Sequence, residues 1–149
     1  MHDVTIVETD NPIAFNKALR DYYFDMVTDQ TTGTVLQIKK CKDIHLLEAH
    51  GEGKVAYFFT VEVSPNTMEA HAIIPLESRG AWAVQAAKDA ISLLHKQYRV
   101  SKVTSGHLDC SRSAGVFLCA VGFKRQETFD TGKTKDHIPV KYISYSLEV

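Results

Sequence analysis

The stretch from Pro75 to Ala90, PLESRGAWAVQAAKDA, decides the fold because it joins an apolar run to a helix through a short Ser-Arg-Gly turn. From Arg79 to about Tyr98, apolar residues recur at spacings of three and four, which predicts an amphipathic helix with an alanine-rich stripe. The run before it ends in Ile73-Ile74-Pro75 and predicts a strand. A strand that turns directly into a helix leaves the first helical amides unpaired, and these donors attract phosphate groups.

Upstream of this stretch the pattern predicts one helix and several short strands. Val4 to Val7 is a β-rich run, and Asp10-Asn11-Pro12 then starts a helix that should run from about Pro12 to Val27. The strand candidates that follow are Val35 to Lys39, Ile44 to Ala49, Val55 to Val63 and Met68 to Ile74. Their short links favour an antiparallel meander.

Downstream, strands and helices alternate. The predicted elements are a strand within Val100 to Leu108, a helix from Ser111 to Ala120, and strands from Phe123 to Thr128 and from Ile138 to Leu147. A polar, exposed loop is expected from Asp130 to Asp136. The order β-α-β-β-β-β-α-β-α-β-β predicts an α/β fold with a mixed sheet, antiparallel in its first half and with βαβ crossovers in its second.

Composition excludes several classes of protein. The 149 residues fit one domain, 1–149, and 17 basic against 18 acidic residues leave no basic excess for nucleic acid. Cys41, Cys110 and Cys119 form no CxxC pair, so neither a disulfide framework nor a zinc site is indicated, and Cys119 is expected in the core. No apolar run approaches the ~20 residues that span a bilayer, so we expect a cytoplasmic protein that does not bind membranes.

Two motifs resemble the GNAT superfamily of N-acetyltransferases, in which the acetyl-CoA pyrophosphate sits on such a corner after the fourth strand. Arg79-Gly80 matches the start of the family pattern Arg/Gln-x-x-Gly-x-Gly/Ala, but the two expected small positions carry Trp82 and Val84. The run from Ser111 to Gln126 is similar to the family element Asn-x-x-Ala-(x)3-Tyr-(x)3-Gly-Phe. Its matching residues are Ala114, Gly122 and Phe123.

The resemblance implies an acetyl-CoA site and a base for an amine acceptor. The implied acetyl-CoA contacts are Ile73, Ile74, Arg79, Gly80, Ala81, Trp82, Ala83 and Ser111, and the side chain of Trp82 is expected to pack the helix start. Glu69 and His71 share one face of their strand by two-residue alternation and are the first candidates for the base. The alternative is that they are polar residues on a solvated face. No metal is expected, because the histidines share no metal-binding spacing.

Other residues leave the activity open. Ser111 replaces the usual asparagine, and Leu118 stands where many active members carry a tyrosine near the departing thiolate; leucine cannot donate a proton. Tyr142 and Tyr145 should lie on opposite faces of the last strand, and one of them could line the substrate side.

The resemblance extends to the small GNAT-like proteins of tailed bacteriophages. Two functions therefore stay open: an N-acetyltransferase acting on a small molecule or protein amine, or an inactive phage protein of head or virion assembly that contacts phage structural proteins. The second would place the chain in the host cytoplasm or the virion. The final strand, Lys141 to Val149, could pair across the edge of a homodimer.

Overall fold

Seven β-strands form one mixed sheet in the computed structural model of the chain, which describes residues 2–27, 37–109, 111–135 and 137–149. The elements are β1 (Thr5–Thr9), α1 (Ile13–Val27), β2 (Ile44–Gly51), β3 (Lys54–Ser64), β4 (Thr67–Ile73), a single 3-10 turn (Leu76–Ser78), α2 (Ala81–Tyr98), β5 (Lys102–Leu108), α3 (Arg112–Val121), β6 (Lys124–Lys135) and β7 (Ile138–Glu148). The mixed α/β fold predicted from the sequence is confirmed.

The strands lie in the order β1-β2-β3-β4-β5-β7-β6. β2, β3 and β4 form an antiparallel meander, as their short links predict, and β1 pairs antiparallel with β2 after the chain has passed through α1. β4 and β5 are parallel and joined by α2, which is the predicted crossover. β7 is antiparallel to both β5 and β6, so β5 and β6 run in the same direction, with α3 between them along the chain.

The sheet separates two apolar clusters. On one face α1 covers a small cluster of Phe15, Ala18, Ile38, Leu46 and Ile73. The opposite face carries α2 and α3 and a larger cluster, which includes the buried stripe Ala83, Ala86, Ala87, Ala90 and Leu94 of α2. Because alanine side chains are short, the axis of α2 lies close to the strands. Below, the two sides are called the α1 face and the α2/α3 face.

The predicted strand from Val35 to Lys39 is not found where it can be checked. Val35 and Leu36 lie outside the described residues, and Gln37–Lys39 are irregular. The Asn16 side chain accepts a hydrogen bond from the amide of Ile38 at 2.6 Å and donates one to its carbonyl oxygen at 3.0 Å. The amide and carbonyl of Ile38 are therefore not available for pairing with a neighbouring strand. The Ile38 side chain packs in the core, but its backbone is not part of the sheet.

Three further expectations are corrected. Of the predicted loop from Asp130 to Asp136, the residues up to Lys135 belong to β6 and Asp136 lies outside the described residues; β6 is an edge strand, and such strands accept polar residues. β7 lies inside the sheet, so the last strand does not offer a dimer edge; a homodimer itself stays a prediction. Cys119, expected in the core, is exposed on α3. Among the described residues no helix is both long and apolar enough to cross a bilayer.

Trp82 anchors the start of α2 from the core side. Its side chain is 1% exposed, and its indole N–H donates to the backbone carbonyl of Asp3 at 2.9 Å. The same nitrogen lies close to Gly51 at the end of β2. The ring is therefore directed toward β1 and β2 and packs the helix start, as predicted.

We expect Trp82→Ala to lower the free energy of unfolding by about 3–5 kcal/mol, the cost of removing a buried aromatic ring. Trp82→Phe keeps most of the aromatic surface and loses the hydrogen bond to the exposed Asp3, so it should lower the free energy of unfolding by about 1 kcal/mol. Urea unfolding of the three proteins measures both. Equal losses for the two variants would contradict the assigned core packing.

Tyr98 joins the last turn of α2 to the far edge of the sheet. Its hydroxyl donates to the Glu8 carboxylate of β1, at 2.6 and 2.7 Å from the two oxygens, and its ring lies 4.2 Å from that of His45. Burial, the hydrogen bond to Glu8, and the negative charges of Glu8 and Asp10 together raise the pKa of Tyr98 to about 12.

This pKa predicts a stability loss at high pH. An unfolded tyrosine releases its proton near about pH 10. Because the folded state holds the Tyr98 proton to about pH 12, the stabilisation is complete below the unfolded pKa and is lost as the pH rises through the folded one. The stability difference between wild type and Tyr98→Phe should therefore stay constant up to roughly pH 10 and shrink above it. A difference that stays flat in urea titrations at higher pH would contradict this.

Candidate functional site

A gap opens in the sheet between β4 and β5. The two strands pair at Thr67 with Lys102, Met68 with Val103, and Glu69 with Thr104. Beyond these three pairs no backbone pairing joins the two strands in the described chain. The Ser105 hydroxyl donates to the carbonyl oxygen of Ala70 at 2.6 Å, just where the pairing stops. The carboxyl ends of both strands therefore present unpaired backbone groups to the gap, as a sheet edge does to an extended ligand.

Strand alternation determines which groups of β4 face the gap. The Ala70 carbonyl points toward β5, so the backbone of Ala72 should point the same way, while those of His71 and Ile73 turn toward β3. Of the predicted contacts, Ile74 lies just past the strand and its carbonyl accepts a hydrogen bond from Arg79 at 3.3 Å. Ala72 is thus a candidate contact that the sequence did not indicate.

The corner between β4 and α2 has a backbone that favours glycine. Gly80 has φ 113° and ψ −154°, a conformation that residues with a Cβ adopt only under strain. Ser78, which is 1% exposed, accepts a hydrogen bond from the Val55 amide at 3.1 Å and ties the corner to β3. Within the described residues, the amides of Gly80, Ala81, Trp82 and Ala83 have no hydrogen-bond partner. The first amides of any α-helix lack a partner within the helix, and such donors at the positive end of the helix dipole favour a bound anion.

The starts of α2 and α3 lie at the same edge of the sheet. Because β4 and β5 are parallel, their carboxyl ends meet at one edge, where the crevice of an open α/β sheet commonly binds ligands. Behind the gap lies a cavity of about 40 Å³, lined mainly by apolar side chains, including Ala87, Ala90, Phe117 and Leu118. A cavity of this size holds about one to three waters, so a larger molecule would lie in the gap itself.

Glu69 and His71 form a contact pair on the α1 face. The His71 Nε2 lies 3.2 Å from the Glu69 Oε1, and each side chain is 40% exposed. The His71 ring stacks on Phe59 at a centroid distance of 6.1 Å. The shared face predicted from strand alternation is confirmed. The pair lies on the opposite face from α2 and borders the gap from the β4 side.

The two tyrosines of β7 lie on opposite faces, as predicted. Tyr145 is buried on the α2/α3 face, where its hydroxyl lies 3.1 Å from the Nε2 of His107. Tyr142 is half-buried on the α1 face and lies against Gly106 of β5. Burial and the negative charge of Glu69 raise the pKa of Tyr142, so the phenol and this carboxylate share one local environment.

Two predicted positions are less directly connected to the gap. Ser111 precedes α3 at the same sheet edge, but its side chain makes no capping hydrogen bond to the helix. Leu118 is buried against the cavity and carries no hydroxyl. Within the described chain no group of three or more histidine, cysteine or acidic side chains is arranged to hold a metal ion.

Several solved structures with the same fold are acetyltransferases. The chain aligns with a variant of spermidine N-acetyltransferase from Vibrio cholerae with a TM-score of 0.74 and 9% identity, over 97% of this chain and 94% of that one. A GNAT-family acetyltransferase from Streptococcus pneumoniae gives a TM-score of 0.72 at 10% identity over 99% of both chains. The fold is therefore that of the GNAT acetyltransferases.

A third matching structure is a complex with acetyl-CoA. The microcin C7 self-immunity acetyltransferase, solved with acetyl-CoA and AMP, gives a TM-score of 0.60 at 9% identity over 72% of this chain. The chain spans 62% of that protein's length and 59% of the length of another match, a probable acetyltransferase. No protein-family model matches the chain, and no curated protein matches its sequence.

The backbone at Gly80 predicts a measurable strain. Gly80→Ala adds a Cβ that meets no neighbour, so its cost comes from φ alone and should be about 1–3 kcal/mol of unfolding free energy. Gly132→Ala, at φ 70° and likewise without a close neighbour, should cost about 1 kcal/mol, because the left-handed region is less strained. Urea unfolding compares the two. A neutral Gly80→Ala would contradict the assigned backbone.

Proposed function

We propose that the chain is an acetyl-CoA-dependent N-acetyltransferase that transfers an acetyl group to an amine. The observation that carries the proposal is the set of unpaired amides from Gly80 to Ala83, which lie beside a gap in the sheet. These donors suit the pyrophosphate, and Arg79 adds a positive charge to the same corner. The backbone of Ala72, which faces the gap beyond the last pair between β4 and β5, suits the amide groups of the pantetheine arm.

The Trp82 side chain does not oppose this fit. A large residue at an expected glycine position would obstruct the cradle only if its side chain projected into it. The indole instead lies in the core and bonds to Asp3, so at this position only the backbone amide faces the corner. When bound, acetyl-CoA supplies an acetyl group activated as a thioester.

Glu69 and His71 supply the acid–base chemistry of the acceptor in this proposal. A protonated amine must lose a proton before its nitrogen can attack, and a carboxylate with an imidazole 3.2 Å away can accept and pass on that proton. Both side chains are partly exposed on the α1 face. The acceptor would therefore approach from the face opposite α2, while the acetyl donor is held at the start of α2.

The first experiment measures thermal unfolding with and without acetyl-CoA. A ligand that binds only the folded state adds about 2.7 kcal/mol at a hundredfold excess over Kd. We expect stabilisation of the wild type and a tenfold or greater loss of affinity in Arg79→Glu, which places a negative charge beside the pyrophosphate. Lys88→Glu makes the same charge change on the exposed side of α2 and should bind normally. An absence of stabilisation at millimolar acetyl-CoA would reject the donor site.

The second experiment tests the base. The acceptors to try first are spermidine and a peptide with an N-terminal alanine, since matched proteins are named for these amines. We expect Glu69→Gln to lower kcat/KM about 10²–10⁴-fold with unchanged acetyl-CoA affinity. Glu62→Gln, which alters an exposed carboxylate at the end of β3, is the matched control and should be neutral. Full activity in Glu69→Gln would remove Glu69 from the mechanism.

A second candidate function is a GNAT-fold protein without catalysis, such as a tailed-phage protein of head or virion assembly. Leu118 favours it, because the position lacks the hydroxyl found in many active members. The same measurements separate the two functions. Acetyl-CoA binding with acetyl transfer supports the enzyme, whereas a folded chain that neither binds acetyl-CoA nor modifies an amine supports the assembly function.

A further inference from the structure

The proposed transfer needs a proton donor that Leu118 cannot provide. When the acetyl carbon leaves sulfur, the sulfur retains the electron pair of the bond, and a nearby acid lowers the barrier by protonating it. If the chain transfers acetyl groups as proposed, one of its side chains must hold the proton that the departing sulfur receives. The donor must carry a hydroxyl or similar group that borders the gap between β4 and β5 and is free to donate.

Most hydroxyls around the gap are already engaged. Ser105 donates to the carbonyl of Ala70, and Thr60 donates to the carbonyl of His45. The Tyr145 hydroxyl is paired with the His107 ring, which is itself bonded to the Leu108 carbonyl at 2.6 Å. Two hydroxyls differ: within the described part of the chain, those of Thr104 and Tyr142 have no hydrogen-bond partner. Of these two, the phenol of Tyr142 is the stronger acid, so it is the candidate proton donor.

Gly106 makes the position of the Tyr142 hydroxyl possible. A Cβ at residue 106 would clash with the Tyr142 oxygen and with the backbone oxygen of Ile143, so any side chain there would displace the phenol. Gly106 belongs to the segment of β5 that has left β4, two residues beyond Thr104. The hydroxyl therefore rests on the β5 side of the gap.

The acid and the base then lie on the two sides of one gap. Glu69 is the last residue of β4 to pair with β5, and its partner Thr104 shares the α1 face with Gly106. Burial and the negative charge of Glu69 raise the pKa of Tyr142 above the usual tyrosine range, so this phenol carries its proton at neutral pH. A carboxylate can thus accept a proton on one side while a phenol holds one on the other.

We propose that Tyr142 is the catalytic acid that protonates the departing sulfur, in place of the hydroxyl absent at Leu118. As the bond from nitrogen to the acetyl carbon forms, Glu69 takes the amine proton. As the bond from carbon to sulfur breaks with its electron pair on sulfur, Tyr142 gives its hydroxyl proton to that sulfur. The Tyr142 phenolate then regains the proton held by Glu69, which restores both groups and leaves an amide and a thiol.

The test pairs the two tyrosines of β7. Tyr142→Phe and Tyr145→Phe each remove one hydroxyl from the same strand, on opposite faces of the sheet. Calorimetry measures the binding of CoA and of desulfo-CoA, which lacks the sulfur, so that the readout needs no acceptor. We expect wild type and Tyr145→Phe to bind CoA about two- to tenfold more tightly than desulfo-CoA, the range of one hydrogen bond. Tyr142→Phe should bind the two equally.

Activity provides the second readout. With whichever of the two acceptors the wild type acetylates, Tyr142→Phe should lower kcat about 10²-fold or more without weakening acetyl-CoA binding. Tyr145→Phe should retain kcat and lose only stability. Gly106→Ala displaces both the phenol and the adjoining backbone of Ile143, so it should reproduce the loss of CoA preference and also lower stability.

The outcomes separate this inference from the proposed function. A wild type that binds neither CoA nor acetyl-CoA overturns both. A wild type that binds and acetylates, with Tyr142→Phe unchanged in CoA preference and kcat, overturns the role of Tyr142 alone. Loss of both in Tyr142→Phe, with both retained in Tyr145→Phe, supports the assignment.

Discussion

The short parallel pairing between β4 and β5 is the constraint on which the site depends. Three residue pairs hold the strands together, and the last of them contains Glu69. Because the pairing is parallel, both strands end at one edge and both following helices begin there. Because it is short, the backbone beyond it is left without a partner inside the sheet. A longer pairing would fill the gap, and an antiparallel one would send the two helices to opposite edges.

The corner at Gly80 is held from the side away from the gap. The Trp82 indole donates a hydrogen bond to the backbone carbonyl of Asp3, and the Ser78 hydroxyl accepts one from the backbone amide of Val55. Both contacts are made within the folded chain, so the corner keeps its shape without a ligand. Donors that are positioned before binding lose little conformational freedom on binding, which favours affinity for an anion. Trp82 at an expected glycine position is thus compatible with an anion bound at the corner, because its indole ring is buried in the core and does not cover the amides.

Sequence patterns predicted correctly those features that depend on the periodicity of a single helix or strand. The stripe of α2 and the shared face of Glu69 and His71 follow from helical and strand periodicity alone. The predicted strand from Val35 to Lys39 is not found in its described part, because β-rich composition does not show whether a neighbouring strand is available. At Ile38 the backbone amide and carbonyl bond to the Asn16 side chain instead. The position of Tyr142 beside Gly106 depends on the pairing of β7 with β5, strands separated by α3 and β6, which no local pattern contains.

The irregular outer strand β6 has a consequence for the behaviour of the protein at high concentration. Its pairing with β7 is interrupted twice, between Arg125 and Thr128 and between Asp130 and Lys133, and its described side chains are mostly exposed and polar. Each bulge twists the strand and breaks the regular row of donors and acceptors along its free side. A regular strand of a second chain would leave backbone groups unpaired at each bulge, which disfavours its addition to this edge. The long side of the sheet is therefore protected against edge-to-edge aggregation by its own irregularity.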